Sequence, residues 1–308
     1  MCYAFLQFDL GYRFQRLEVL RIMHEAFSDI VGEGLIEMLE QIILVTGSTD
    51  GIGKETALQL ADKGAEIILH GRSHEKGRRV LKEIRNRTGN NRMQFFLADL
   101  SSQSQVRNLA AEIKDNYNHL HVLINNAGTF QQDRTMTEDG LETTFAVNYL
   151  APFLLTHELL DLMKISAPSR IINVASIAHR DGIMDWSNLQ GERDYEGFDA
   201  YAESKLALIL FTYALARRLK GTNITANCLH PGVIRTKLLR AGFGDYPGDA
   251  PERGAQTSVY LASSPKVEGM SGQYYEACEV VRSSPITYDR WTQEELWRLS
   301  EKLAGLDQ

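Results

Sequence analysis

The sequence predicts an α/β domain: one doubly wound parallel sheet of about seven strands with helices on both faces. Three observations predict it. From Gln41 onward, short aliphatic runs alternate with longer amphipathic stretches, the rhythm of repeated βαβ units. A glycine-rich turn, Thr46 to Gly53, follows the first aliphatic run. No Pro/Gly/Ser-rich linker and no repeat of fixed period divides the chain beyond that turn, so the alternation belongs to one unit.

The aliphatic runs place strands at Ile42–Val45, Glu66–Leu69, Gln94–Leu97, Val122–Ile124, Arg170–Val174 and Ile224–Leu229. Helical periodicity fills the intervals at Ile52–Lys63, His74–Arg87, Ser102–Asn116, Gly140–Lys164 and Ala200–Leu219. Further helices are expected near Glu252–Ala262 and Thr292–Leu303. Upstream, Leu20, Met23, Phe27, Ile30, Val31, Leu35 and Leu39 recur at helical spacing with charges between them. The chain therefore divides into an amphipathic helical extension, residues 1–40, and a folded unit, residues 41–308. Three roles stay open for the extension: a docking helix, a membrane-surface anchor, or sequence upstream of the true domain start.

Composition narrows the function classes. Hydrophobic residues make up 44% and charged residues 24% of the 308, enough apolar surface for a sizeable core. The net charge of −7 argues against a nucleic-acid partner, which needs a basic face. Arg78-Arg79 and Arg217-Arg218 read as solvated helix surface. Cys2, Cys228 and Cys278 are odd in number and lack C-x-x-C spacing, so neither a disulfide framework nor a zinc ribbon is expected. The histidines form no ligand motif, and no metal is expected. Charges at Asp9, Arg13, Arg16 and Glu18 interrupt the apolar start too early for a spanning helix of about 20 residues. The expected location is cytoplasmic, with peripheral membrane contact open through residues 1–40.

Gly47, Ser48, Thr49, Asp50, Gly51, Ile52 and Gly53 lie between the first strand and the first helix. There a parallel sheet presents backbone N–H groups and a positive helix terminus to a phosphate. The spacing G-x-x-x-G-x-G fails as a Walker A loop because Glu55, not serine or threonine, follows Lys54. A dinucleotide site fits better. NAD sites usually carry an acid about 20 residues past the glycines, whereas a 2′-phosphate calls for a cation. The second strand here ends His70-Gly71-Arg72-Ser73. Arg72 can meet a phosphate with a forked contact and Ser73 can add a hydroxyl, so NADP(H) is expected over NAD(H).

The reacting end is expected at Tyr201-Ala202-Glu203-Ser204-Lys205, where i, i+4 spacing puts phenol and ammonium on one helix face. Ser176, at the end of the preceding strand, can join them. Carbonyl reduction needs a proton at the oxygen as hydride reaches the carbon, and a phenol with a pKa near 10 is poorly matched to neutral pH. A neighbouring ammonium lowers that pKa, so Lys205 is expected to tune Tyr201, with Ser176 holding the substrate oxygen. Trp186, Tyr195, Phe198, Leu238, Leu239 and Phe243 are expected as an apolar wall.

These residues resemble the short-chain dehydrogenase/reductase family, in its retinol-dehydrogenase-like or WW-domain-oxidoreductase-like branch. The glycine turn, Asp99, Asn125-Asn126-Ala127-Gly128, Asn148, Ser176, Tyr201, Lys205 and Pro231-Gly232 stand in that family's order. Branch likeness rests on Phe145 to Leu150, Ser176 to His179, His230 to Thr236 and the tail from Ser271 to Leu303. The resemblance covers about residues 41–303 and implies a Rossmann-type fold and a dinucleotide-binding catalytic domain with a C-terminal substrate loop and tail. It further implies that Asp99 and Leu100 border the adenine and that Asn125, Ala127 and Gly128 line the cofactor cleft. By the same resemblance Asn148 holds a water that joins Lys205 to solvent, while Val233 and Thr236, after Pro231-Gly232, meet the nicotinamide carboxamide.

One departure bears on the coenzyme. Asp50 stands where several NADP-using relatives carry a basic residue, and would oppose a 2′-phosphate if it pointed inward. The expected activity is hydride transfer between NADP(H) and a small-molecule carbonyl or alcohol, with homo-oligomer formation open. Two alternatives are a membrane-associated retinoid or steroid dehydrogenase and a non-catalytic, cofactor-binding regulatory protein on the same fold. A broken Ser/Tyr/Lys set would mark the regulatory protein, and here the set is intact.

Overall fold

The computed structural model describes residues 38–307. The amphipathic extension therefore lies, apart from its last three residues, outside the described residues. Those three, Met38 to Glu40, are helical, and Met38 is buried beside the first strand and helix of the domain.

The strands are β1 (Ile42–Val45), β2 (Glu66–Gly71), β3 (Met93–Leu97), β4 (Val122–Asn125), β5 (Ser169–Val174), β6 (Ile224–His230), β7 (Tyr274–Glu276) and β8 (Glu279–Val281). They form one sheet in the order β3-β2-β1-β4-β5-β6-β7-β8. All neighbours are parallel except β7 and β8. The chain order reverses between β1 and β4, and a crevice opens at the carboxyl ends of the strands there.

Alternation along each strand sorts the two cores. Leu44, Ile68 and Leu123 face one layer, with α3 (Gln103–Asn116), α4 (Ala151–Ile165) and α5 (Gly197–Arg218). Ile43, Val45, Ile67, Leu69, Val122 and Ile124 face the other, with α1 (Gly51–Asp62), α2 (His74–Thr88) and α7 (Pro251–Ser263). A short helix α6 (Lys237–Phe243) follows β6, and α8 (Arg290–Leu303) closes the tail against α5.

Several features differ from the sequence expectation or add to it. The helix expected from Gly140 starts at Thr143, because Glu142 caps it by accepting from the Thr144 and Phe145 amides (2.8 and 2.6 Å). It then widens into a π-helical turn at Ala146–Leu150 before α4. Strands β7 and β8, three residues each, are too short for a period to show; their turn uses Ala277 and Cys278 at φ 48° and 67°, without glycine. Arg217 and Arg218 stay part-exposed on the helix surface, as expected, but are engaged there: both pair with Glu294 of α8, and the Arg218 guanidinium lies 3.8 Å over the Trp297 ring. Among the described residues, no helix is long and apolar enough to cross a membrane.

Candidate active site

The crevice holds a cavity of about 670 Å³. Its floor is the glycine turn. Gly47 takes φ +64°, and a Cβ there would come within 2.9 Å of the Ala127 Cα. A Cβ on Gly53 would lie 2.3 Å from Asn126 Nδ2 and 2.5 Å from the Gly47 oxygen. Backbone from β1 and β4 thus meets with no room for side chains. Of the first amides of α1, that of Gly51 is taken by the Asp50 cap; the next have no intrahelical acceptor and can present donors to the crevice. Gly53→Ala is expected to cost about 1–3 kcal/mol through forced backbone shifts. It should lower the Tm and weaken dinucleotide binding together; an unchanged Tm in thermal denaturation would show that the contact relaxes freely.

Asp50 caps α1, accepting from the Gly51 amide at 2.9 Å, and pairs with Lys237 at the start of α6. Partial burial works against its charge. The Lys237 ammonium and the Gly51 amide nevertheless hold its carboxyl below the usual range. The contrary charge noted in the sequence is therefore balanced.

Beyond the turn, β2 delivers Arg72 and Ser73 to the cavity wall, and the first turn of α2 adds Lys76. Arg72 makes no ion pair or hydrogen bond among the described residues. Asp99 and Leu100 line the same end; the Asp99 carboxylate accepts from the Ser101 amide (3.0 Å) and hydroxyl (2.8 Å).

At the opposite end, Ser176, Tyr201 and Lys205 share the cavity wall. Tyr201 and Lys205 are almost wholly buried, at 6% and 3% exposed. Lys205 Nζ donates to the Val174 carbonyl at 3.0 Å and stands 5.6 Å from the Tyr201 ring centroid. Burial pushes the Tyr201 phenol up to about 12, with the Ser176 side chain pulling the other way. Burial also pushes Lys205 down to about 8. The expectation that Lys205 lowers the phenol is not met in this arrangement, because desolvation outweighs a charge that is directed at a carbonyl instead.

Ser176 is held from behind. The His179 ring Nδ1–H donates to the Ser176 carbonyl at 2.6 Å, while its Nε2 accepts from the Ser284 amide of the tail at 3.1 Å. Asn148, in the π-helical turn, accepts from the Thr129 amide (2.7 Å) and donates to the Thr129 carbonyl and to Ser204 Oγ (both 3.0 Å). Ser204 in turn donates to the Tyr201 carbonyl at 2.7 Å. The widened turn thus grips the helix that carries both Tyr201 and Lys205.

The short chain dehydrogenase family model matches residues 41–245. The chain is 42% identical to retinol dehydrogenase 11 of Homo sapiens over 279 residues, 88% of each protein. It is 41% identical to retinol dehydrogenase 13 of Homo sapiens over 280 residues, 86% of this chain and 85% of that one. The chain belongs to the short-chain dehydrogenase/reductase family. Within it, this oxidoreductase is retinol-dehydrogenase-like. Solved structures agree on the fold of the short-chain dehydrogenase. An uncharacterized protein from Mycobacterium paratuberculosis superposes with a TM-score of 0.70 at 29% identity, over 86% of this chain and 94% of that one. A short chain dehydrogenase from Shigella flexneri complexed with NADP gives 0.65 at 29% identity, over 78% and 98%.

Of the sequence-predicted residues, Gly47, Thr49 to Gly53, Arg72, Ser73, Asp99, Leu100, Ala127, Gly128, Ser176, Tyr201, Lys205, Pro231, Gly232, Val233 and Thr236 all reach the cavity of this short-chain dehydrogenase. Three stand behind its wall. Ser48 is buried and bonded to the His70 backbone. Asn125, the last residue of β4, faces the α4–α5 layer, where it donates to Asn173 Oδ1 (2.8 Å) and Thr156 Oγ1 (3.3 Å). Strand alternation turns Asn125 inward and brings Asn126 to the cavity instead. Asn148 is the third, its side chain held by Thr129 and Ser204.

The apolar wall is Phe198, Leu238, Leu239, Phe243 and Tyr246. The Phe243 ring lies 6.0 Å from Phe130 and 5.8 Å from Phe198, and Phe130 lies 5.8 Å from Tyr201. Trp186 and Tyr195 are elsewhere: Trp186 packs edge-on to Trp291, and the Tyr195 hydroxyl donates to the Gln131 carbonyl at 3.1 Å. Lys76 was missed by the sequence argument, although its spacing four residues after Arg72, at a helix start, could have found it. Among the described residues no group of three or more His, Cys, Asp or Glu is placed to hold a metal ion.

Proposed function

We propose that the protein is an NADP(H)-dependent oxidoreductase that moves a hydride between the nicotinamide and a carbonyl or alcohol, with Tyr201 as general acid and base. One observation carries this reading: Ser176, Tyr201 and Lys205 share a single cavity with the closed glycine turn and the Arg72–Lys76 cations. The bound nicotinamide supplies or accepts the hydride.

The chain's own residues do the rest. The turn at Gly47 and Thr49 to Gly53 would hold a pyrophosphate on the α1 amides. Arg72, Ser73 and Lys76 would take the 2′-phosphate. Asp99 and Leu100 would border the adenine, and Val233 and Thr236 the carboxamide. Lys205 would reach the ribose hydroxyls. With its phenol pushed up to about 12, Tyr201 is protonated at neutral pH and ready to give its proton to a substrate oxygen held by the Ser176 hydroxyl. As that proton leaves, the Lys205 ammonium beside the ring offsets the phenolate charge.

The sign of the pH dependence comes from these shifts. Lys205 is charged below about 8 and loses its proton above that, while Tyr201 keeps its own until about 12. Carbonyl reduction should therefore be flat near neutrality and fall by roughly tenfold per pH unit above the Lys205 value. A kcat/KM profile that stays level to pH 9.5 would count against a charged Lys205.

The apolar wall of Phe198, Leu238, Leu239, Phe243 and Tyr246 favours a substrate with an apolar body. The relatives named as retinol dehydrogenases favour, as a second reading, a retinoid or steroid alcohol. Turnover with NADPH and with NADH, each against aldehydes, ketones, steroids and retinal, tests coenzyme and substrate class at once. Faster turnover with NADPH on apolar carbonyls is expected. Turnover on none of the carbonyls, with NADPH still bound, would favour a regulatory protein instead.

A further inference from the structure

His70 is the second-last residue of β2 and is 2% exposed. Its ring joins two parts of the crevice that the backbone leaves apart. Nδ1 lies 3.2 Å from the Gly47 amide nitrogen, and Nε2 lies 3.1 Å from the Ala98 carbonyl oxygen. The Gly47 N–H can only donate, so Nδ1 is unprotonated. Nε2 then carries the hydrogen and donates to Ala98, and one neutral tautomer satisfies both ends.

The backbone reinforces the link: the Ser48 amide donates to the His70 carbonyl at 3.0 Å, and the His70 amide donates to Ser48 Oγ at 2.9 Å. Gly47 has φ +64° and no side chain to hold its peptide plane, and Ala98 leads directly into Asp99 and Leu100. Burial pushes the ring down to about 4, so the acceptor at Nδ1 persists through the neutral range. An apolar residue in this place would leave the part-buried Gly47 donor and the buried Ala98 acceptor without this partner.

We propose that His70 is a positioning residue that fixes the dinucleotide-binding turn by giving the Gly47 amide its acceptor at Nδ1, with the Nε2 bond to Ala98 serving to set the tautomer that keeps this acceptor. The proposal rests on the NADP(H) reading of the same cavity. Preorganising a turn removes ordering cost from binding, so the effect falls on cofactor affinity and not on the hydride step.

Three variants separate the two bonds. His70→Asn puts an amide oxygen where Nδ1 accepts; His70→Gln puts an amide nitrogen where Nε2 donates; His70→Phe removes both. NADPH Kd by fluorescence titration, and Gly47 amide exchange by NMR in the cofactor-free protein, are the readouts. His70→Phe and His70→Gln should raise Kd about tenfold and speed Gly47 exchange, as expected for losing the Gly47 hydrogen bond, which both variants lack. His70→Asn should stay within about threefold, and kcat at saturating NADPH should change less than about twofold in all three. Unchanged Kd and exchange in His70→Phe overturn the proposal. So does an equal loss in the Asn and Gln variants, which would mark plain packing. If the unsubstituted protein binds no NADPH, the coenzyme reading fails and this proposal falls with it. If it binds NADPH and His70→Phe binds it as well, only this proposal falls.

Discussion

Tyr201→Phe should lower kcat by about 10²–10⁴-fold, the usual worth of a positioned general acid, while leaving NADPH Kd within about twofold. The phenyl ring keeps every apolar contact, including its packing on Phe130 at 5.8 Å, so the hydroxyl alone is removed. That hydroxyl is almost wholly buried, which pushes it up to about 12. Ser176→Ala is the companion variant, since it removes a hydrogen bond to the substrate oxygen but leaves the proton source. Its loss of kcat should be smaller. Steady-state turnover at saturating coenzyme, with a parallel coenzyme titration, separates the two steps. A Tyr201→Phe enzyme that retains kcat within about threefold would sink the assignment of Tyr201 as the acid.

The parts of this fold that depend on a periodic apolar pattern were legible in the sequence. β1, β2, β4 and β5 carry aliphatic runs buried on both faces, the mark of a parallel sheet covered on both sides. The edge hairpin β7–β8 was not legible. Three residues cannot display a period of two, and its turn places Ala277 and Cys278 at positive φ where sequence rules look for Gly or Asn. The π-helical turn at Ala146–Leu150 was hidden for another reason. A widened turn keeps a helical composition, and it coincides with the bonds of Asn148 to Thr129 and Ser204, residues far off in the sequence.

At the site, residue types were legible and their orientation was not. Asn125 and Asn126 are the same residue in neighbouring places; pleating alone decides that Asn126 faces the cavity and Asn125 the network through Asn173 to Thr212. Tyr195 and Trp186 had the right character for a substrate wall, but loop geometry sends one to Gln131 and the other to Trp291. The role of Asp50 depended on a partner 187 residues away, Lys237, which no local pattern announces. The tuning of Tyr201 illustrates the same limit. Spacing put Lys205 beside it, whereas the sign of the shift depended on burial, and burial is set by the tertiary packing of Phe130 and Ala178 around it.

Arg72→Ala should raise the Kd for NADPH by about 10–100-fold, the range for losing hydrogen bonds to a charged group, and leave the Kd for NADH within about threefold. The difference isolates the 2′-phosphate. Arg72 is free of ion pairs among the described residues, so its removal uncovers no stranded carboxylate and should change stability little. Its forked donors suit a phosphate that a lysine meets only as a point charge; Arg72→Lys should therefore recover part of the loss. Lys76 faces the same cavity end and limits the damage, so the double variant should lose more than either single one. Asp50→Asn is the control. Its charge is already balanced by Lys237, so neutralising it should move NADPH affinity by less than about threefold, despite standing in the glycine turn. Raised ionic strength should narrow the NADPH-over-NADH preference in the unsubstituted protein and have little effect on it in Arg72→Ala. Equal affinity for the two coenzymes in the unsubstituted protein would mean that Arg72 and Lys76 form an ordinary solvated surface, and the preference for NADP(H) would have to be given up.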